Sequence, residues 1–323
     1  QASQEDLNDV LVSLFSEVAL NYVEVRSLQQ RIALAESSLK TQAETCDITR
    51  WRFESGLTTQ LDLDQAQVSL EQTRSGIPAL QTSLSQAQNR LVLLLGLYPG
   101  ALEKDLGKTG KIPVSSGDIA VGVPADVIRQ RPDVRRAERK LAAQTAKIGA
   151  AKAARYPSFK LIGSIGVESL TLGDLYSGGA KTAQAMADAA FTLFDFGRIR
   201  KNIEIQTALQ EEALAFYEAA VLTALEDVEN ALAAYLNEQA RHRSLENALK
   251  SGQSAFTLAR DQYSSGLVDF QTVLDTQKSL LTLKDQLASS SANRTGNVIR
   301  LYKALGGGWT PAASKSEAAE VKN

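Results

Sequence analysis

The sequence predicts a mainly α protein of two long antiparallel helical hairpins with one β-hairpin between them. Three observations carry that prediction. The first is an internal repeat: Phe53-Glu-Ser-Gly-Leu-Thr-Thr-Gln-Leu-Asp-Leu-Asp-Gln65 is echoed 210 residues later by Tyr263-Ser-Ser-Gly-Leu-Val-Asp-Phe-Gln-Thr-Val-Leu-Asp275. The same offset pairs Val18 with Val228 and Leu95-Gly96 with Leu305-Gly306, so it spans most of the chain. The second is apolar spacing in threes and fours, at Leu7, Val10, Leu11, Leu14, Val18, Tyr22, Val25, Leu28 and Ile32. That is a helical stripe. The third is a stretch of period two, Phe159, Leu161, Gly163, Ile165 and Val167, alternating with mostly polar neighbours. That is a strand.

Taken in order, residues 1–98 form the first long hairpin with its tip at Gly56. No glycine or proline interrupts before that tip, so one helix of about 80 Å is expected at roughly 1.5 Å per residue. Its length calls for coiled-coil-like packing. The return helix carries Gly76-Ile-Pro78, which predicts a kink or a step between two stacked helices. Residues 99–132 are a glycine- and proline-punctuated link. Residues 133–156 form a helix that Tyr156-Pro157 ends, because the residue before proline is pushed out of helical geometry. Residues 157–197 form the β-hairpin: a first strand through Val167, a loop over Ser169–Gly179, and a return strand from Thr182 to Phe194. Its length suits a tilted membrane-spanning strand of about 9–11 residues. Six of the 19 aromatics lie between Tyr156 and Phe196, the enrichment expected of an interfacial belt. The alanines of 180–190 are poor strand formers and weaken the second strand. Residues 198–305 form the second long hairpin with its tip at Gly266, and 306–323 are a polar tail. By the 210-residue offset, the counterpart of the strand region falls before residue 1, which predicts a further segment ahead of this sequence.

Composition excludes several classes of function. A net charge of -2 and 22% charged residues leave no basic stripe for nucleic acid. No apolar run reaches the 18 or so residues of a membrane helix. One cysteine, Cys46, excludes an intrachain disulfide, and one histidine, His242, excludes a catalytic triad or a zinc set. His242 is expected at the surface, and Cys46 as a packed helix residue. Asp62 and Asp64, two apart on a helix, point to different faces and read as solvated charge. Gly107-Lys108-Thr109 lacks the glycine a phosphate loop needs, since Leu102 stands there. No constellation of acid, base and nucleophile appears, which argues against an enzyme, and no cofactor or metal is expected.

Arg131-Pro-Asp133, Ala137-Glu138, Ile148-Gly149-Ala-Ala151, Tyr156-Pro157, Phe194-Asp195 with Gly197-Arg198, and Leu301-Tyr-Lys-Ala-Leu-Gly-Gly-Gly-Trp309 stand in an order that resembles a known family. They are similar to the outer membrane factors of TolC type, in the lipoprotein branch that serves resistance–nodulation–division efflux pumps. The resemblance implies a homotrimer in the outer membrane of a Gram-negative bacterium, with a shared transmembrane β-barrel and an α-helical barrel through the periplasm. It implies a passive, gated duct for small toxic compounds or drugs, contacting outer membrane lipid. Its partners would be a periplasmic membrane-fusion adaptor and an inner membrane pump of the resistance–nodulation–division class. An exit duct for type I protein secretion and a periplasmic coiled-coil adaptor are the alternatives. Three subunits with one β-hairpin each would supply six strands, short of the eight or so of the smallest spanning barrels. The segment ahead of residue 1 would then supply further strands, and in this branch the acylated cysteine; Cys46, mid-helix, cannot be that anchor.

The resemblance also implies where the function sits. Asp275 matches the position of a constricting acidic ring, and Gln271 a second, usually apolar, constriction residue one turn earlier. Without the family, Asp275 would read as a solvated helix residue. Tyr263 matches a tyrosine that bonds neighbouring helices in the closed state, with ordinary coiled-coil packing as the alternative. Gly56, Leu57 and Thr58, with Gly266, Leu267 and Val268, resemble the tip motif that docks the adaptor; a glycine is also needed there simply to turn the chain.

Overall fold

The computed structural model describes residues 2–107, 110–113, 125–168 and 181–307. The loop expected over Ser169–Gly179, the tail beyond Gly307, and Lys108-Thr109 lie outside the described residues. The elements are α1 (Ala2–Glu54), α2 (Gln60–Leu94), α3 (Glu103–Leu106), α4 (Ala125–Gln130), α5 (Pro132–Ala153), β1 (Ser158–Val167), β2 (Lys181–Ala190), α6 (Arg198–Ser264) and α7 (Phe270–Ala304). They fall into two compact units, one of residues 1–3 and 133–221 and one of residues 4–132 and 222–323.

The larger unit holds both hairpin tips. At each tip the chain leaves the helix through the same hydrogen-bonded cap. The Leu57 amide donates to the Arg52 carbonyl at 2.8 Å and Gly56 to Phe53 at 2.9 Å; Leu267 donates to Gln262 at 2.9 Å and Gly266 to Tyr263 at 3.0 Å. This is the Schellman arrangement, and it requires a left-handed residue at its centre. Gly56 and Gly266 supply it, with φ of 73° and 76°. The return helices are then started by side-chain caps. Thr59 and Asp62 form a reciprocal capping box at α2. Asp269 accepts from the Thr272 amide at 2.9 Å at α7.

The seams between the helices follow a heptad rhythm. On α6 the positions Val228, Tyr235, His242, Leu249, Phe256 and Tyr263 recur every seven residues, and each is buried or half-buried. On α7, Phe270, Val273, Gln277 and Leu280 continue the 3-4 spacing and are all buried. The tip core unites Cys46 of α1 and Ala66 of α2 with Phe256, Ala259 and Tyr263 of α6 and Phe270, Val273 and Leu280 of α7. A second core joins Val25 and Leu28 of α1 to Ala87 and Leu91 of α2 and Leu106 of α3. Cys46, 1% exposed, is a packed seam residue as expected.

Three sequence expectations need correction. The Gly76-Ile-Pro78 step does not divide the return helix: α2 runs unbroken from Gln60 to Leu94 with Pro78 inside it. A single missing amide donor is tolerated where packing against neighbouring helices supplies the stability. His242 is not a surface residue; it is 7% exposed. The return strand stops at Ala190 and does not reach Phe194, because Ala190 pairs with Ser158 and the ladder has no partner beyond Pro157.

Around the link, buried Arg26 of α1 donates to Tyr22 Oη at 3.1 Å and to Gln29 Oε1 at 2.9 Å. Gly110 lies so close that a Cβ there would sit 2.7 Å from the guanidinium carbon. Arg131, of the Arg-Pro-Asp motif, is likewise buried. It donates to the Ala304 carbonyl at 2.9 Å and to Asp227 Oδ2 at 2.9 Å, closing the end of α7 against α6. Pro132 then starts α5, the position where a missing amide donor costs nothing.

In the smaller unit, β1 and β2 pair antiparallel from Ser158↔Ala190 to Val167↔Lys181. Phe159, Leu161 and Ile165 face the same side as Ala189, Ala187 and Ala183. The other side opposes Lys160 to Asp188 and Ser164 to Gln184. The alanines form a strand because a full ladder, not propensity, decides their conformation. Every residue of β1 is exposed on both faces. No helix among the described residues is long and apolar enough to cross a membrane.

Candidate functional site at the hairpin tips

Gln271 and Asp275 stand one turn apart near the start of α7, both exposed. The Gln271 side-chain amide donates to Asp275 Oδ1 at 3.0 Å, which fixes the carboxylate toward the open side of the helix. α2 carries a like pair, with Gln60 donating to Asp64 Oδ1 at 2.8 Å. Asp64 and Asp275 both border a groove of about 860 Å³ that runs between α2 and α7. Asp64, expected as solvated charge, is exposed, and it is a second carboxylate on the groove that Asp275 borders. On the other wall Arg31 of α1 grips Asp285 of α7 in a forked pair, at 2.6 and 3.1 Å. No spacing in the sequence pointed to that pair, since its members lie 254 residues apart.

Tyr263 is 8% exposed and packs against Phe270, ring centroids 5.3 Å apart and tilted by 52°. Its hydroxyl has no hydrogen-bond partner among the described residues. Over its ring lies the guanidinium of Arg52, 4.6 Å from the centroid. The same guanidinium donates to the carbonyls of Tyr263 and Ser264 at 3.3 and 3.4 Å, the last turn of α6. Arg52 therefore ties the end of α1 to the end of α6, a role the sequence reading missed.

The tips themselves are apolar at their crests. Leu57 is 67% exposed and Leu267 74%. Thr58 is half-buried and donates to Asp62, and Val268 packs partly against the tip core. Burial alone would raise the Asp62 carboxyl, but hydrogen bonds from the Thr58 hydroxyl and from the amide and hydroxyl of Thr59 outweigh it and hold it below the usual carboxylate range. Asp269 is lowered by the hydroxyl and amide of Thr272. Both charges favour the N-terminal ends of the helices they start. Asp62 thus has a structural duty that its reading as solvated charge overlooked.

Further along the α6–α7 seam, His242 Nδ1 lies 3.3 Å from Ser290 Oγ, which in turn donates to Glu238. Burial, and secondly the positive charge of Arg294, push the His242 pKa below its ordinary value, against the opposing pull of Glu246 and Glu238.

A model of the outer membrane efflux protein family matches residues 1–97 and 123–307. The chain is 31% identical over 314 residues to the probable efflux pump outer membrane protein SepC of Pseudomonas putida, covering 97% of this chain and 65% of that protein. It is 32% identical over 308 residues to the outer membrane protein OprJ of Pseudomonas aeruginosa, covering 95% and 64%. The chain thus spans a little under two thirds of the length of these relatives. Among solved structures, the outer-membrane channel OprN superposes with a TM-score of 0.85 at 32% identity, over 96% of this chain and 69% of that one. The transmembrane channel protein CusC superposes with a TM-score of 0.79 at 31% identity, over 95% and 71%.

Proposed function

This chain belongs to the outer membrane efflux protein family, and from that premise we propose that its protein is the outer membrane duct of a tripartite efflux pump. The duct is passive and makes or breaks no bond. Three copies surround one passage; small toxic compounds or drugs enter it at the hairpin tips and leave through the outer membrane. The observation that carries this reading is the groove between α2 and α7, which sets Asp64 and Asp275 near the tips on the exposed side of the helices. A threefold set of such carboxylates concentrates cations and repels anions at a narrow mouth.

Asp275 and Gln271 form the constriction in this proposal. Tyr263 belongs to the closing contact in this proposal on the strength of the family resemblance; it is buried at the tip core, and its hydroxyl has no partner among the described residues. Leu57 and Leu267, with the caps that present them, are the surface a periplasmic adaptor would grip. The inner membrane pump supplies the energy.

The β-hairpin supports the same reading. Its side of Phe159, Leu161, Ile165 and Val167, polar only at Lys181 at the strand end, suits lipid, and its side of Lys160, Asp188, Ser164 and Gln184, with Ile162 and Met186 between them, is the more polar one and suits a watery lumen. A hairpin exposed on both faces and at both edges needs further strands beside it. A double substitution tests the docking assignment: Leu57→Arg with Leu267→Arg is expected to abolish cross-linking to the adaptor while leaving the oligomer intact in detergent. Undiminished cross-linking would remove the tips from the docking surface.

A further inference from the structure

In the smaller unit, α5 and α6 hand the chain to the β-hairpin at one level. Gln144 of α5 donates to Gln206 Oε1 of α6 at 2.8 Å. Gln144 stands nine residues before the end of α5 at Ala153, and Gln206 eight past the start of α6 at Arg198, so the two helix ends come side by side. Five exposed cations gather there: Lys152 and Arg155 where α5 ends, and Arg198, Arg200 and Lys201 in the first turn of α6. The carboxylates nearest them are already engaged. Asp195 accepts from the amides of Gly197 and Ile199 at 3.0 and 2.8 Å, and Glu204 accepts from Arg200 and Lys201 at 3.3 and 2.7 Å. Asp188 stands opposite Lys160 on the ladder. The side chains of Lys152 and Arg155 have no hydrogen-bond or ion-pair partner among the described residues.

Aromatic rings share that level. Tyr156, Phe159, Phe191 and Phe194 are each more than half exposed, and Phe196 is exposed completely. Phe196 also holds a φ of 51°, the one positive value outside glycine among the described residues. A left-handed backbone is unfavourable for a residue with a Cβ, and such strain persists where a function keeps it. Here it holds a phenyl ring where nothing in the described chain covers it. A cationic band beside an aromatic one, at one end of a strand pair with an apolar side, matches the headgroup level of a bilayer that carries negative lipid. We propose that this collar binds anionic phospholipid, with Lys152, Arg155 and Arg198 holding the charged headgroup and the rings resting against the upper acyl chains. The proposal rests on the reading of the hairpin as part of an outer membrane barrel. In that reading the helices lie on the periplasmic side, and the collar meets the periplasmic leaflet.

The experiment counts the lipids bound to the purified protein by native mass spectrometry, with phosphatidylglycerol or phosphatidylcholine added to the detergent. Phosphatidylglycerol should bind more tightly, and each cation removed should weaken it by roughly fivefold. The variant Lys152→Gln with Arg155→Gln and Arg198→Gln should therefore lose about a hundredfold in affinity for phosphatidylglycerol. It should bind phosphatidylcholine as wild type does, which shows that the collar is still folded. Lys278→Gln, on α7 in the other compact unit, should change neither lipid. Flotation with phosphatidylcholine vesicles tests the membrane reading separately. Protein that floats but holds the two lipids equally, or keeps its preference in the triple variant, overturns the collar and leaves the hairpin in the membrane. Protein that does not float overturns both.

Discussion

At the tip a single guanidinium ties α1 to α6: Arg52 lies over the Tyr263 ring and donates to two carbonyls at the end of α6. Replacing it by alanine is expected to cost about 1–2 kcal/mol, read as a lower midpoint in denaturant with an unchanged slope. A midpoint equal to wild type would mean that the contact carries no weight. Tyr263→Phe should behave differently. Its hydroxyl has no partner within the described residues, so the chain should lose no stability, while antibiotic leakage into cells should rise if the proposed closing contact with neighbouring helices disappears. Unaltered leakage would return Tyr263 to ordinary packing. Tyr263 and Asp275 stand out through the family resemblance; without it Asp275 reads as a solvated helix residue. Arg52, Arg31 and Asp64 were not legible, because their significance lies in partners on other helices and sequence spacing does not record which helices meet.

The α6–α7 pair is sensitive to acid through His242. Its depressed pKa means that the folded chain binds the proton less readily than the unfolded chain, whose histidine titrates near 6.5. The contribution is therefore fully present above that pH and is lost as pH falls below it, through the folded pKa. His242→Gln should flatten the stability profile between pH 7 and 5, measured by denaturant titration at several pH values. A slope equal to wild type would place the acid sensitivity elsewhere. The position of His242 was recoverable in principle: it falls on the seven-residue series of Val228, Tyr235, Leu249, Phe256 and Tyr263, which outweighs the residue type's habit of surface exposure. The caps were more legible. Gly56 and Gly266 stand where the left-handed turn requires them, and Gly266→Ala should cost about 1–2 kcal/mol in thermal or chemical unfolding. A negligible cost would mean that the turn relaxes to another geometry. Of the kink or the step between stacked helices expected at Gly76-Ile-Pro78, the unbroken α2 excludes the step, because packing against neighbouring helices tolerates one missing amide donor.

For the whole molecule, the 210-residue repeat made the two long hairpins legible, and period two made the first strand legible, while the alanines of the second strand obscured it. The end of β2 was not legible, because a strand stops where its partner does, and the partner's limit at Pro157 belongs to another part of the chain. The repeat does not extend to the groove carboxylates: at the 210-residue offset Asp275 stands opposite Gln65 and Asp64 opposite Leu274, although both aspartates border the same groove. The most direct test of the duct is single-channel conductance in a planar bilayer, using protein purified from outer membranes. A small, cation-selective current that grows and loses selectivity in Asp275→Ala is the expected result, because that change removes both charge and bulk from the proposed constriction. The same conductance and the same selectivity in wild type and variant would contradict the gate.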